Sequence, residues 1–242
     1  MNGQSVLAND VPTIWRHRNE SSAVQPRSQR KAALDATEFP EQSKGEFVGI
    51  YLNNQGDHMA IHPSSSHTLV PALGQWDHVI GSPAHRIHVV QYGDFECPSC
   101  AQAYPSVKIL LKNFGEHLCF AFRHFPLIEA HPHAELAAEA AETAGAQGKF
   151  WPMHDWLFEN RDHLKAKSLR QYAAALDLDM LRYDAEMADH FYLQRIRENI
   201  ASGRASGVQG SPAFFINGSI IDVSFGIHHL FEAITARIQH RG

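Results

Sequence analysis

Apolar residues are distributed unevenly along the 242-residue chain, and their spacing becomes regular only in its second third. Residues 1–45 are polar with few clustered apolar side chains, a pattern that favours a disordered or loosely attached tail. Residues 46–85 are intermediate. A strand is possible at residues 47–51, but proline and glycine interrupt the pattern further on. We interpret this second segment as an N-terminal extension running into the fold.

A regular strand–helix–strand pattern follows. Residues 87–92 are β-branched and aromatic, which predicts a buried strand. Apolar positions at helical spacing after Ser99 predict a helix that stops at Gly115. Residues 118–122 then predict a second strand. This order within so short a segment indicates a βαβ unit, in which the two strands are parallel.

The remainder of the chain is predicted to be helical and then to return to strands. Helical stretches are predicted over residues 135–144, 149–160, 168–176 and 179–203. Asn217-Gly218 between two apolar runs predicts a hairpin, and a final amphipathic helix follows it. The pattern therefore predicts an α/β fold (βαβ, a helical block, then ββα). One domain is built from residues 86–130 and 205–242, with a helical domain inserted at 131–204.

Composition narrows the possible functions. The chain is 44% hydrophobic, which suits one large soluble domain. A formal charge of -5 makes nucleic acid an unsuitable partner. No apolar run approaches the length of a membrane span, and the first residues lack the pattern of a secretory signal. We therefore expect a cytoplasmic protein.

Two of the three cysteines form the motif Cys97-Pro98-Ser99-Cys100, which directly follows the first predicted strand. Disulfide exchange needs an attacking thiolate and a second thiol close enough to resolve the mixed disulfide. A helix N-terminus stabilises the thiolate through its unpaired amides and dipole, and proline suits the first helical turn. We predict that Cys97 is the exposed nucleophile and Cys100 the more buried resolving thiol.

The same cysteines allow other interpretations. A metal-binding or redox-sensing module is the main alternative, although zinc usually needs four ligands. Cys119 lies inside an apolar strand and is expected to be an inert core residue, while His131 and His133 could complete a site. We predict no metal. Glutathione-dependent transfer is a third possibility, against which an intact second cysteine argues.

Four residues outside the cysteine pair are also candidates. Asp94 and Glu96 could accept a proton from Cys100 or tune its pKa, although both could equally be turn or surface carboxylates. Phe95 and Phe214 could line an apolar groove for an unfolded substrate chain.

Five motifs together carry a resemblance to a known family. In chain order they are YGDFECPSC (92–100), FRHFPL (122–127), HPHA (131–134), AGAQGKFW (144–151) and GVQGSPAFFING (207–218). The set resembles the DsbA-like branch of the thioredoxin superfamily over about residues 76–236. The resemblance implies a thioredoxin fold with an inserted helical domain and Cys97 and Cys100 as its redox pair. It also implies protein thiol or disulfide substrates, a redox partner and no cofactor beyond the dithiol.

The segment Gly210-Ser211-Pro212 precedes a predicted strand, where a trans proline in a turn is the simpler interpretation. The resemblance instead implies that Pro212 is a cis-proline facing the dithiol. The backbone of Ser211 would then pair with an extended substrate chain. Family oxidases carry histidine where this chain has Ser99, so we expect a less strongly oxidising site. The direction of exchange stays open at this point.

Overall fold

A computed structural model describes residues 68–224 and 226–239, and the account below concerns that part of the chain. The predicted tail over residues 1–45 and the possible strand at 47–51 lie outside the described residues. Of the predicted extension, residues 68–85 are described.

A single five-stranded sheet organises the described residues. Its strands are β1 (His78–Ile80), β2 (Ile87–Gly93), β3 (Leu118–His124), β4 (Ala213–Ile216) and β5 (Ser219–Ile221). Their order across the sheet is β1-β3-β2-β4-β5. Strands β2 and β3 are parallel, as the βαβ pattern predicts, and the other neighbouring pairs are antiparallel. The carboxyl ends of β2 and β3 therefore meet at one edge, where the cysteine motif begins.

Seven helices complete the described structure. They are α1 (Pro98–Phe114), α2 (Ala134–Gly145), α3 (Phe150–Glu159), α4 (Ala166–Ala175), α5 (Met180–Ala188), α6 (Leu193–Ala205) and α7 (His228–Gln239). Helix α1 connects the two parallel strands, and α2 to α6 form the insertion between β3 and β4. The α/β class and the thioredoxin fold with an inserted helical domain are confirmed.

Alternation along the central strands divides the apolar side chains between the two faces of the sheet. Val89 and Phe120 belong to the larger core cluster, which also contains side chains from α1, α2, α3 and α7. Their chain neighbours Val90 and Ala121 belong to a second cluster on the other face. Both faces of the central strands are therefore covered, which explains why apolar residues stand at consecutive positions, such as Val89-Val90 and Phe120-Ala121, and do not strictly alternate with polar ones.

The structure differs from the sequence pattern in two elements. Strand β1 lies within the segment predicted to be an extension, yet it pairs with β3, so the sheet begins before residue 86. The single helix predicted over 179–203 is wrong, because α5 ends at Ala188 and α6 begins at Leu193. His190, between them, has a φ of 50°. That left-handed conformation cannot continue a right-handed helix.

Candidate active site

The two cysteines of the motif lie at the start of α1, at the edge where β2 and β3 end. Cys97 is the N-cap residue of the helix, and Pro98 occupies its first turn. Cys97 is 5% exposed and Cys100 is 0% exposed, so both are more enclosed than the prediction of an exposed nucleophile suggested. Of the two, Cys97 is the one that an incoming sulfur can reach, because Cys100 is covered completely.

The two thiols have opposite electrostatic environments. The Cys100 thiol donates to Cys97, and with smaller contributions from backbone amides and Ser211 this lowers the pKa of Cys97 to about 5, against the opposing effect of burial. Burial raises the pKa of Cys100 well above its ordinary value, and the neighbouring Cys97 sulfur raises it further. At neutral pH the pair therefore holds one thiolate, on Cys97, and one thiol, on Cys100.

The loop before β4 lies beside the dithiol, at the same edge of the sheet. The peptide bond between Ser211 and Pro212 is cis. The Cys97 sulfur lies 3.4 Å from the backbone carbonyl oxygen of Ser211 and can donate to it when protonated. The topology places this loop beside the cysteines because β4 pairs with β2, whose carboxyl end leads into the motif. A chain segment that reaches the Cys97 sulfur therefore also meets the backbone of Ser211.

Asp94 is buried beneath the N-terminus of α1 and connects two loops. Its Oδ1 accepts hydrogen bonds from the backbone amides of Glu96 and Cys97, at 2.8 and 3.2 Å. Its Oδ2 accepts from the amide of Leu127 at 2.9 Å and from Nδ1 of His131 at 2.7 Å. Asp94 is therefore neither a plain surface residue nor a free base. It is a fully bonded buried carboxylate attached to the backbone of the nucleophile.

Glu96 makes a similar pair nearer the surface. Its carboxylate accepts from the backbone amide of His133 at 2.6 Å and from the His133 Nδ1 at 2.9 Å. A cavity of about 340 Å³ opens beside these pairs. It is lined by Glu96, Pro98, His131, His133, Arg161, Asp162, Leu164 and Lys165.

Phe95 and Phe214 do not form the predicted groove. Phe95 packs in the core against Phe122 and Phe158, with ring centroids 5.2 and 4.9 Å apart. Phe214 is fully buried in β4. Because both rings are enclosed, neither contributes surface to a substrate chain, and their role is to support the loop and strands that position the dithiol.

The third cysteine lies away from the pair. Cys119 is the second residue of β3, at the opposite end of that strand from the active-site edge. Burial raises its pKa to about 11, which keeps it a neutral thiol. Within residues 68–224 and 226–239, no group of three or more His, Cys, Asp and Glu side chains is arranged to hold a metal ion.

A buried ionic cluster behind the site was not predicted. The carboxylate of Glu142 in α2 contacts the imidazoles of His78 and His124, each at 2.9 Å, and pairs with Arg195. At helical spacing Glu142 shares a face of α2 with Glu135 and Glu139, and nothing in that spacing distinguishes a buried carboxylate from a solvated one. Its partners come from three separate elements, β1, β3 and α6.

The geometry agrees with a family match over most of the chain. Residues 75–236 match the sequence model of the family described as Thioredoxin. The chain belongs to the thioredoxin family. Its fold resembles that of BdbD from Bacillus subtilis, with a TM-score of 0.60 at 18% identity, over 67% of this chain and 93% of that one. A thioredoxin-like oxidoreductase from Silicibacter pomeroyi gives a TM-score of 0.59 at 22% identity, over 67% and 92%.

A curated relative of this thioredoxin-family chain carries an unrelated name. Over 168 residues the chain is 44% identical to a protein named Na(+)/H(+) antiporter NhaA 1 from Salinispora arenicola. The match covers 69% of this chain but 26% of that protein, so the chain spans about a quarter of its relative's length. Among the helices of the described residues, none has the length and apolar character needed to cross a membrane.

Proposed function

We propose that this protein is a thiol–disulfide oxidoreductase that exchanges disulfides with protein substrates through Cys97 and Cys100. The observation that carries the proposal is the asymmetry of the two sulfurs. Cys97 keeps a slight exposure of 5% and has a pKa of about 5, whereas Cys100 is fully covered and has a raised pKa. Disulfide exchange requires this arrangement, because one sulfur must attack as a thiolate and the second must stay protonated until it resolves the mixed disulfide.

Reduction of a substrate disulfide takes two steps. The Cys97 thiolate attacks one substrate sulfur, the substrate S–S bond breaks, and the departing substrate thiolate takes up a proton. Cys100 then loses its proton and attacks the Cys97 sulfur. The second substrate thiolate leaves, and the Cys97–Cys100 disulfide forms. The substrate gains two electrons and two protons. The enzyme supplies both electrons and the proton of Cys100, and solvent supplies the second proton because Cys97 begins as a thiolate.

The reverse sequence donates a disulfide, and we propose that it is the favoured direction. A substrate thiolate attacks the Cys97 sulfur and releases Cys100. A second substrate thiolate then displaces Cys97 and forms the substrate disulfide. The low pKa of Cys97 makes it a good leaving group in this second step, since thiols of lower pKa leave faster.

Ser211 supplies the proposed docking point for the substrate chain. Its backbone carbonyl lies within hydrogen-bonding distance of the Cys97 sulfur, so an extended substrate segment pairing there would bring its own sulfur alongside Cys97. Pro212 fixes this loop next to the dithiol. The cytoplasmic location and the separate redox partner stay predictions from the sequence.

Trapping of mixed disulfides tests the proposal. The Cys100→Ser variant cannot resolve the first intermediate, so it should accumulate disulfides between Cys97 and substrate when incubated with an unfolded, disulfide-containing protein. Non-reducing gel electrophoresis and mass spectrometry of the linked peptides would measure this. Cys119→Ser is the matched control, because it removes a buried thiol remote from the pair and should resolve intermediates as the parent protein does.

Two results would contradict the proposal. One is trapping by Cys97→Ser in place of Cys100→Ser, which would reverse the two roles. The other is near-stoichiometric zinc in freshly purified protein, lost when Cys97 and Cys100 are both replaced. That result would favour the metal-binding alternative.

A further inference from the structure

Two carboxylate–histidine pairs join the redox loop to the loop that precedes α2. Asp94 and Glu96, two residues apart, contact His131 and His133, which are also two residues apart. The pairs differ mainly in their access to solvent. The side chains of Asp94 and His131 are 0% and 16% exposed, whereas those of Glu96 and His133 are 20% and 35% exposed.

The buried member of these pairs needs a countercharge. An ionised carboxylate enclosed by protein is costly unless it is paired and hydrogen-bonded. Asp94 has three backbone amides as donors, and among the described residues His131 is the side chain that contacts it and can carry a positive charge. The separation of 2.7 Å between Nδ1 and Oδ2 falls in the range of a charge-assisted hydrogen bond.

The same carboxylate is one hydrogen bond from the nucleophile. Its Oδ1 accepts from the backbone amide of Cys97, so its charge is attached to the backbone of the residue whose sulfur must carry a negative charge in the reduced protein. A negatively charged carboxylate destabilises a nearby thiolate. A positively charged imidazole bound to the other carboxylate oxygen would reduce that destabilisation. Because the disulfide form carries no thiolate, the balance affects the reduced form alone.

We propose that His131, acting through the carboxylate of Asp94, is a positioning residue that sets the equilibrium between the Cys97–Cys100 dithiol and its disulfide. His131 keeps Asp94 compensated, which stabilises the reduced, thiolate form and makes the disulfide easier to donate. The inference rests on the proposed function, since it concerns the redox equilibrium of the same pair.

Other ionisable side chains line the adjacent cavity together with His131. They are Glu96, His133, Arg161, Asp162 and Lys165. Glu96 is engaged by His133, and Arg161 lies 3.0 Å from Asp162. The direct partner of His131 in the described structure is Asp94, and the test therefore varies these two side chains.

The test is the equilibrium constant for reduction of the protein disulfide by glutathione, measured on the full chain. Asp94→Asn keeps an oxygen acceptor but removes the negative charge, so the constant should rise three- to tenfold. His131→Asn keeps a nitrogen donor near the carboxylate but cannot carry a positive charge, so the constant should fall three- to tenfold. A tenfold change corresponds to about 30 mV in the two-electron potential.

A charge effect and a purely structural role predict different signs. If the pair only braced the loop, both variants would loosen it and shift the constant in the same direction, and that result would overturn the proposal. The double variant D94N/H131N should match D94N, because His131 acts through the charge that D94N removes. Adding H131N to D94N should therefore leave the equilibrium constant unchanged. A fall in the constant as large as the one that H131N causes in the parent protein would contradict the proposal.

The second pair provides a matched control on the same two loops. His133→Asn removes an identical side chain from a similar carboxylate, but solvent screens that pair, so the constant should change less than twofold. If D94N fails to fold, as judged by circular dichroism, the comparison of H131N with H133N still decides. Equal effects would refute the inference. If the parent protein forms no disulfide with glutathione at all, the proposed function itself fails instead.

Discussion

The charge of the Cys97 sulfur depends more on its partner cysteine than on any other single group. The Cys100 thiol donates to it, and this hydrogen bond is the largest of the effects that lower the Cys97 pKa to about 5. The helix amides at Ser99 and Cys100 add to it, while burial opposes it. Cys100 therefore has a second role besides resolving the mixed disulfide, because its thiol stabilises Cys97 as a thiolate.

Removing the Cys100 thiol should therefore raise the Cys97 pKa. In the reduced parent protein the thiolate absorbance, followed across pH, should show a midpoint near 5. Cys100→Ala removes the donor and should move this midpoint up by at least about one unit, whereas Cys100→Ser keeps a hydroxyl donor and should move it less. Cys119, with a pKa of about 11, does not titrate in this range. An unchanged midpoint in Cys100→Ala would show that the helix amides alone set the pKa.

Residue chemistry could be predicted where it depends on local spacing. The i, i+3 cysteines and the proline between them indicated the dithiol and its helix N-terminus directly. The pairing of Asp94 with His131 could not be predicted in this way. The two residues lie in separate loops, one after β2 and the other after β3, and local spacing does not show that these loops meet. The matching two-residue spacing of Asp94 and Glu96 with His131 and His133 is the one signal in the sequence that agrees with this contact, and spacing alone does not show which residues meet.

At the scale of elements, Glu142 connects α2 to the sheet and to α6. Its carboxylate is nearly inaccessible and contacts His78 from β1, His124 from β3 and Arg195 from α6. Although burial opposes ionisation, hydrogen bonds from His124 and His78 hold the pKa of Glu142 below its ordinary value. The inserted helical domain is therefore attached to the thioredoxin-like sheet by a charged contact as well as by apolar packing.

Replacing this carboxylate should destabilise the whole described fold. Glu142→Gln leaves Arg195 and the two imidazoles without their anion, and removing one partner of a buried ion pair costs about 3–5 kcal/mol. We expect a loss of this size in the free energy of unfolding, measured by urea denaturation. Glu116→Gln, at an exposed position, is the control and should change the stability by less than about 0.5 kcal/mol. Equal stability of the two variants would contradict the role assigned to Glu142.

Elements could be predicted from the sequence where their periodicity was long. The two parallel strands, the hairpin and most helices follow from apolar spacing, but β1 has three residues, none fully buried, and so produces no recognisable pattern. The break between α5 and α6 escaped prediction because apolar spacing continues across His190, whose backbone conformation no periodicity reveals.

At the scale of the whole molecule, the redox state of the pair is linked to folding. In the reduced protein the folded state holds the Cys97 pKa near 5, against an ordinary value of 9.0. A group whose pKa is lowered by folding adds stability that is complete above its ordinary pKa and disappears as the pH falls through the folded value. The oxidised protein has no such group, since Cys97 is then part of the disulfide, and its stability lacks this contribution.

The difference in unfolding free energy between reduced and oxidised protein should therefore grow with pH. Each unit between the two pKa values adds about 1.4 kcal/mol, so the difference should increase by about 2 kcal/mol from pH 5 to pH 7. Urea denaturation of both forms at several pH values would measure it. Comparing the two forms cancels the titrating groups that do not interact with Cys97, such as Glu142, and any constant effect of the disulfide on the unfolded chain. Cys97→Ser should follow the oxidised protein's pH dependence, and a pH-independent difference in the parent would mean that folding does not stabilise the thiolate.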